Sequence, residues 1–113
     1  MNTHDSAFLQ LVEQAKQHIN EMDVKTLKQR AQTKKLFLVD VREESEWQRG
    51  HVEGAIYLGK GVIERDIERV IPDKKALIVL YCGGGYRSAL AAENLQRMGY
   101  TNVYSLKGGY SAM

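Results

Sequence analysis

The sequence predicts an α/β domain with a central, mostly parallel β-sheet and helices on both faces. Short, fully apolar runs of strand length recur along the chain, and segments with helical periodicity separate them. Strands that alternate with helices in this way are joined by crossover connections, which lie over the faces of a parallel sheet. The 113 residues, 43% hydrophobic and 27% charged, suffice for one domain with an ordinary core.

The first two elements are predicted to be helices. Asp5 or Ser6 is positioned to cap the first one. The apolar residues of that helix recur with a period of about 3.6, at Phe8, Leu11, Val12, Ala15 and Ile19. This stripe predicts packing on the sheet, and the alternatives are dimerisation and docking of a partner. Asp23 is positioned to cap the second helix, whose predicted inner residues are Val24, Leu27 and Ala31.

The rest of the chain alternates between strands and helices. Three apolar runs, at residues 36–39, 55–58 and 76–81, and the segment at residues 102–106 predict strands. Helices are predicted between them, over residues 43–49, 62–71 and 88–98. Each helix stops at a residue that ends helices: Gly50, Pro72 and Gly99. The predicted inner residues of the last two helices are Ile63, Ile67, Val70, Ala91, Ala92, Leu95 and Met98.

Composition argues against several classes of function. The net charge is only +2 and the lysines are scattered in pairs, so nucleic acid is not the predicted partner. The single cysteine excludes an internal disulfide and a multi-cysteine zinc site, and it favours a reducing compartment. The N-terminus lacks the pattern of a secretory signal, and the longest apolar run is far shorter than the roughly 20 residues of a membrane span. We therefore predict a cytoplasmic protein without a membrane segment or a metal.

The single cysteine lies at the position where parallel sheets bind ligands. Cys82 directly follows the strongest predicted strand, and three glycines follow it. Glycines allow several N–H groups to turn toward one point, which the N-terminus of the next helix also faces. Arg87 adds a permanent cation, and together these groups favour the nucleophilic thiolate. We expect amides rather than packed side chains around the thiol; the alternative is a buried, structural cysteine beside a glycine-rich turn.

Three stretches of the sequence resemble the single-domain rhodaneses, a sulfurtransferase family. "CGGGYRS" (82–88) is similar to the active-site loop of that family, which has four residues between cysteine and arginine. "DVREESEWQRGHVEGAIYL" (40–58) resembles its second signature, and "LKGGY" (106–110) resembles its C-terminal Gly-Gly. The similarity starts at about residue 22. We therefore assign residues 1–21 to an N-terminal amphipathic helical extension and residues 22–113 to a rhodanese domain.

The resemblance implies a rhodanese-like fold and a thiosulfate sulfurtransferase-like enzyme. Cys82 would take a sulfane sulfur from thiosulfate or a persulfide and pass it to cyanide or a protein thiol, with no metal or organic cofactor. The residues implied to wrap the persulfide are Gly83, Gly84, Gly85, Tyr86 and Arg87. Ser88 would open the next helix, while Asp40 and Arg42 would support the neighbouring loops through hydrogen bonds or an ion pair. The histidine that matches His51 is structural in the family.

Two other functions remain open at this point. One is a sulfur carrier or regulatory binding module with little turnover. The other is a cysteine phosphatase, which is less favoured because phosphatases with this kind of fold have five residues between cysteine and arginine. The partners expected are a small anionic sulfur donor and a protein thiol or persulfide. Because Arg87 is the only cation in the loop, a persulfide is a better expected donor than thiosulfate. The oligomeric state is not predicted.

Overall fold

A five-stranded sheet, parallel at every pairing, forms the centre of the molecule in a computed structural model that describes residues 6–113. The strands are β1 (Asn20–Met22), β2 (Phe37–Asp40), β3 (Ile56–Tyr57), β4 (Ile78–Tyr81) and β5 (Val103–Leu106), in the order β1-β5-β4-β2-β3. The helices are α1 (Ser6–Lys16), α2 (Val24–Thr33), α3 (Glu44–Arg49), α4 (Ile63–Val70) and α5 (Tyr86–Arg97), followed by a 3₁₀ helix at Gly109–Ala112. The α/β fold with a parallel sheet is therefore confirmed.

The central strand β4 divides the core into two layers. Its residues are all buried, and successive side chains point to opposite faces of the sheet. Ile78 and Leu80 join a cluster with α4 and α5 on one face, whereas Val79 and Tyr81 join a cluster with Leu27 of α2 on the other. Burial on both faces explains why this run lacks polar residues. It also places the residue after β4 between the two layers.

Helices α2, α3 and α4 follow the predicted signals. Asp23 caps α2, since its carboxylate accepts a hydrogen bond from the Thr26 N–H at 2.8 Å. Helix α3 ends at Gly50, and α4 directs Ile63 and Ile67 into the core, as expected. The prediction for Ala31 is wrong, since this residue is exposed. Helix α2 packs through a narrow stripe, in which Leu27 is the only fully buried residue.

The N-terminal helix α1 differs in part from its predicted stripe. Val12 and Ala15 are buried, and α1 packs on α5 rather than directly on the sheet. Leu11 is 52% exposed, and Ile19 lies beyond the end of the helix. The buried surface of α1 is therefore narrower than predicted, because contact with a single helix, α5, covers only a narrow stripe of side chains. The suggested cap at Asp5 falls outside the described residues.

Strand β1 was not predicted from the sequence. Its residues, Asn-Glu-Met, are mostly polar, and only Met22 is buried. The strand forms because it pairs with β5, with Asn20 opposite Tyr104 and Met22 opposite Leu106. A three-residue edge strand of this kind is specified by its partner rather than by its own residues. None of the helices within residues 6–113 is long and apolar enough to cross a bilayer.

Candidate active site

Cys82 lies at the carboxyl end of β4, directly after its last residue. The residue is 1% exposed and belongs to the core cluster with α4 and α5. The prediction that nothing packs around the thiol is therefore wrong, because the central strand delivers Cys82 between two covered faces. The sulfur nevertheless has polar neighbours on the side of the loop.

Backbone amides of the loop and one hydroxyl contact the sulfur. The N–H groups of Gly85 and Ser88 donate to Sγ at 3.1 and 3.4 Å, and Ser88 Oγ lies 3.5 Å from Sγ. Burial raises the pKa of the Cys82 thiol, but the hydrogen bonds from Ser88, Gly85 and Gly84 outweigh it. The net pKa lies below the ordinary value of the thiol, so the site favours the thiolate.

The position of Ser88 differs from the prediction. Ser88 was expected to open the helix, but α5 begins at Tyr86, with Gly85 as its N-cap in the left-handed conformation at φ 97°. The early start turns Ser88 inward, where it is fully buried and its hydroxyl lies 2.8 Å from Ser105 Oγ. Ser105, on β5, thus supports the hydroxyl that faces the thiol. Sequence reasoning missed Ser105, although a serine inside an apolar strand is the signal that marks it.

The other predicted loop residues lie around this centre. Gly83 is half-buried and Gly84 is exposed, and neither has a positive φ. Tyr86 contacts α1: its ring lies edge-on to Phe8 at 6.3 Å, and Lys16 Nζ lies 5.3 Å from its centroid. The structure therefore connects the loop to α1 through Tyr86.

The C-terminal 3₁₀ helix donates two hydrogen bonds to backbone carbonyls at the start of the Cys82 loop. The N–H of Tyr110 donates to the Cys82 carbonyl at 2.7 Å, and that of Ser111 donates to the Gly83 carbonyl at 3.1 Å. Gly109 has φ 57°, and a Cβ there would overlap the Cys82 carbonyl oxygen. Only glycine meets both conditions. Two consecutive glycines after the last strand were the sequence signal, but their contact with Cys82 was not predicted.

Arg87 is engaged by a carboxylate that sequence reasoning missed. Its Nη1 and Nη2 donate to the two oxygens of Glu46 on α3, at 2.8 and 3.3 Å. This hydrogen-bonded pairing lowers the pKa of Glu46 to about 2. Glu46 Oε1 also accepts the Glu43 N–H at 2.9 Å, and this hydrogen bond makes Glu43 the N-cap of α3, one residue before the helix begins. Arg87 therefore ties the loop to α3.

Asp40 and Arg42 form the predicted ion pair. Arg42 Nη2 lies 2.8 Å from Asp40 Oδ2, and both side chains are buried. Arg42 also donates to the Gly50 carbonyl at 2.7 Å, and its guanidinium lies 4.2 Å from the ring centroid of Tyr110. The pair thus connects the end of α3 with the 3₁₀ helix that holds Cys82.

His51 interacts with Trp47, as a structural residue would. The two rings stack with centroids 3.4 Å apart and 3° between their planes, and Nδ1 lies 3.0 Å from the Trp47 carbonyl oxygen. Within residues 6–113, no three His, Cys, Asp or Glu side chains are grouped so that they could hold a metal ion. The chemistry that the described site offers is that of one hydrogen-bonded cysteine sulfur whose pKa lies below the ordinary value.

Comparisons with known proteins agree with this geometry. The sequence model of the rhodanese-like domain matches residues 23–113. The chain is 33% identical to the thiosulfate sulfurtransferase GlpE of Shewanella oneidensis over 91 residues, which cover 80% of this chain and 88% of that protein. It is 37% identical to the uncharacterized protein YqhL of Bacillus subtilis over 81 residues, but the match spans only 63% of that protein.

A solved structure resembles the whole of the described chain. The protein RPA3614 of Rhodopseudomonas palustris, described as a possible tyrosine phosphatase of unknown function, superposes with a TM-score of 0.85 at 25% identity. The similarity covers 99% of this chain and 90% of that one, so it includes α1.

Proposed function

This chain belongs to the rhodanese-like domain family, and on that premise we propose that it is a sulfurtransferase that carries sulfane sulfur on Cys82. The observation that supports the proposal most is the set of donors on one sulfur atom. The N–H groups of Gly85 and Ser88 lie 3.1 and 3.4 Å from Sγ, and the Ser88 hydroxyl lies 3.5 Å away. Donors in this arrangement stabilise a negative charge on sulfur before and after each transfer.

In the first step, the Cys82 thiolate attacks the outer sulfur of the donor. A new S–S bond forms to Sγ, the S–S bond of the donor breaks, and its electron pair leaves as sulfite from thiosulfate or as a thiolate from a persulfide. The product is a Cys82 persulfide with a negative outer sulfur. Because the transferred sulfur keeps its oxidation state, the step needs no metal, organic cofactor or external oxidant.

In the second step, a thiophilic acceptor removes the outer sulfur. Cyanide or a protein thiolate attacks it, the bond to Sγ breaks, and the electron pair returns to Cys82. The returning thiolate meets the same donors that held it before loading. This recovery of the starting state is what a turnover enzyme requires.

The charges around the loop bear on the identity of the donor. Arg87, the cation of the loop, has both terminal nitrogens engaged by the Glu46 carboxylate. Its charge is thus largely neutralised before a dianion such as thiosulfate arrives. A persulfide donor places less charge at the loop, so we propose that a low-molecular-weight or protein persulfide loads Cys82 faster than thiosulfate. The need for a reduced thiol favours a cytoplasmic location.

Intact-protein mass spectrometry tests this function. The protein and its Cys82→Ser variant are incubated with thiosulfate or with glutathione persulfide, and each is weighed before and after addition of cyanide. We expect one added sulfur atom on the unaltered protein, its removal by cyanide, and no addition to the variant. Equal loading of both proteins would exclude Cys82 as the carrier.

The same experiment separates the alternatives. A sulfur carrier would load but release its sulfur to cyanide slowly, whereas an enzyme would turn over many times. The phosphatase alternative is supported by the description of RPA3614. It predicts hydrolysis of p-nitrophenyl phosphate and no loading. The four residues between Cys82 and Arg87 favour the sulfurtransferase, since a phosphoryl group requires a wider loop.

A further inference from the structure

A groove lies at the end of the sheet opposite to Cys82. It has a volume of about 640 Å³ and is formed by the segments that precede β2, β4 and β5. The strands are parallel, so these segments lie at the amino end of the sheet, whereas Cys82 follows the carboxyl end of β4. The size is that of a binding site, and none of the residues assigned to the sulfur chemistry lines it.

The groove is strongly basic. Four cationic side chains line it, Arg30, Lys34, Lys35 and Lys75, against the single carboxylate of Asp73. This local excess of three positive charges exceeds the net charge of the whole chain, which is +2. Within residues 6–113, no carboxylate lies within ion-pair distance of any of the four. Their charge is therefore available to a ligand.

The cations are spread across both faces of the sheet. Arg30 lies over the ring of Tyr104, 5.4 Å from its centroid, and Tyr104 packs with the cluster on the α2 face. Lys35 lies over the ring of Phe37 at 5.5 Å, and Phe37 packs with the cluster on the α4 and α5 face. The groove thus crosses the end of the sheet. A compact anion would meet only part of this charge, whereas an extended one would meet all of it.

The aromatic rings favour a protein segment over a nucleic acid. Single-stranded nucleic acids bind through bases that stack on open aromatic faces. Phe37 and Tyr104 each have a cation over one face, while the protein core packs against them. The same two rings and Ala76 are only half-buried, so they offer apolar contact area between the charges. This combination fits carboxylates interspersed with an apolar side chain.

We propose that this basic groove docks an extended acidic segment of a partner protein. The site leaves the Cys82 loop free, since the two lie at opposite ends of the strands. A bound partner and a sulfur donor can therefore occupy the protein at the same time. The attraction between four cations and several carboxylates also predicts binding that weakens as salt screens it.

Fluorescence anisotropy tests the proposal with a labelled peptide, Glu-Asp-Glu-Leu-Glu-Asp-Glu, and the full chain. The comparison peptide replaces every acid by its amide. The groove variant is Lys34→Glu with Lys75→Glu, one change in the segment before β2 and one in the segment before β4. The control variant is Lys25→Glu with Arg97→Glu, two exposed cations outside the groove that alter the net charge equally. Thermal unfolding of both variants checks that they are folded.

We expect the acidic peptide to bind the unaltered protein and the control variant within about threefold of each other, and the groove variant about tenfold or more weakly. Sulfur loading of Cys82 should proceed at the same rate with the peptide bound. Three results would overturn the proposal: equal binding of the amide peptide, equal weakening in the control variant, or tighter binding of an oligothymidylate of equal charge. A fourth result, displacement of the peptide by inorganic phosphate at equal total charge, would also overturn the proposal and would assign the groove to a compact anion. None of the binding results depends on whether Cys82 transfers sulfur, whereas the loading result does.

Discussion

The cations beside the Cys82 loop and those that line the basic groove, at opposite ends of the parallel sheet, are used in opposite ways. At the carboxyl end, Arg42 is paired with Asp40 and Arg87 with Glu46, at 2.8 Å in each case. At the amino end, Lys34 and Lys75 lie in a groove without an ion-pair partner among the described residues. A paired cation fixes the position of what carries it, whereas an unpaired one is available for binding. The first end is therefore built to hold a geometry and the second to attract a ligand.

The backbone shows the same difference. At the carboxyl end, amides of the loop and of the 3₁₀ helix are directed to the sulfur or carbonyl of Cys82, and left-handed glycines make this possible. At the amino end, the turn before β4 contains Pro72 and Asp73 and no left-handed residue, and the left-handed glycines before β3 and β5, Gly54 and Gly99, have no atom closer than 3.7 Å to the position of a Cβ. Substitutions should therefore have large effects at the first end and small effects at the second.

The largest effect is expected from Gly109→Ala. A Cβ at this position requires a left-handed backbone for alanine and overlaps the Cys82 carbonyl oxygen, so the 3₁₀ helix must move away from the loop. We expect the free energy of unfolding to fall by about 3 kcal/mol and sulfur loading to be largely lost. Urea unfolding and intact-mass loading measure the two quantities.

The matched control is Gly54→Ala. Gly54 also has a positive φ, 84°, but a Cβ there would meet nothing within 4 Å. Its expected cost is about 1 kcal/mol, from backbone strain alone, with loading unchanged. Equal losses in the two variants would show that the contact with Cys82 adds nothing.

A smaller effect is expected from Ser88→Ala. The variant removes the hydroxyl near Sγ and leaves Ser105 buried without its partner at 2.8 Å. We expect a loss of about 2 kcal/mol in stability and a shift of Cys82 alkylation toward higher pH, because one of the groups that lowers the pKa is gone. Iodoacetamide kinetics across pH measure the shift.

Ser105→Ala separates the effect on stability from the effect on the pKa of Cys82. It breaks the same pair of hydroxyls but keeps Ser88 beside the sulfur, so stability should fall while the alkylation profile stays in place. A profile that moves equally in both variants would mean that Ser88 acts only through packing.

The sequence signals for the fold worked where a local feature determines the element. Asp23 caps α2, Gly50 ends α3, and the apolar run at β4 is the buried central strand. The sequence signals failed where contacts with another element determine the structure. Strand β1 exists through its pairing with β5, and Ala31 is exposed because α2 meets the sheet along a narrow stripe. Tertiary pairing of this kind leaves no periodic pattern in the segment itself.

The candidate site shows the same limit. Cys82 was located from its local pattern, a thiol beside glycines, and the Asp40–Arg42 pair was located through the family resemblance. Glu46, Ser105 and the contact of Gly109 were missed, because each meets the loop from an element distant in the chain. The start of α5 was also misplaced, because the left-handed Gly85 begins the helix two residues early.

The pH dependence of the stability of Glu46→Gln tests the contribution of the ion pair between Arg87 and Glu46. The pKa of Glu46 is about 2, below its ordinary 4.5, chiefly because of the hydrogen bonds from Arg87. A lowered folded-state pKa stabilises the protein above pH 4.5, and this contribution is lost as pH falls toward 2. We expect the variant to be less stable by about 1 kcal/mol at neutral pH and the difference to vanish in that window.

Glu44→Gln is the control on the same helix. Glu44 is exposed and forms no ion pair within the described part of the chain, so its replacement should leave the pH dependence nearly unchanged. Urea unfolding at several pH values provides the comparison. A constant difference between Glu46→Gln and the unaltered protein from neutral pH down to pH 2 would contradict a charge-based role for the pair.

The smallest effect is expected at the amino end, from Lys75→Ala. The side chain is exposed and lacks an ion pair among residues 6–113, so its removal should change the free energy of unfolding by less than about 0.5 kcal/mol. Sulfur loading should be unchanged, because this turn and the Cys82 loop lie at opposite ends of β4. A loss of loading with the fold intact would show that the two ends of the sheet are coupled. The separate roles inferred for them, fixed geometry at Cys82 and ligand binding in the groove, would then be wrong.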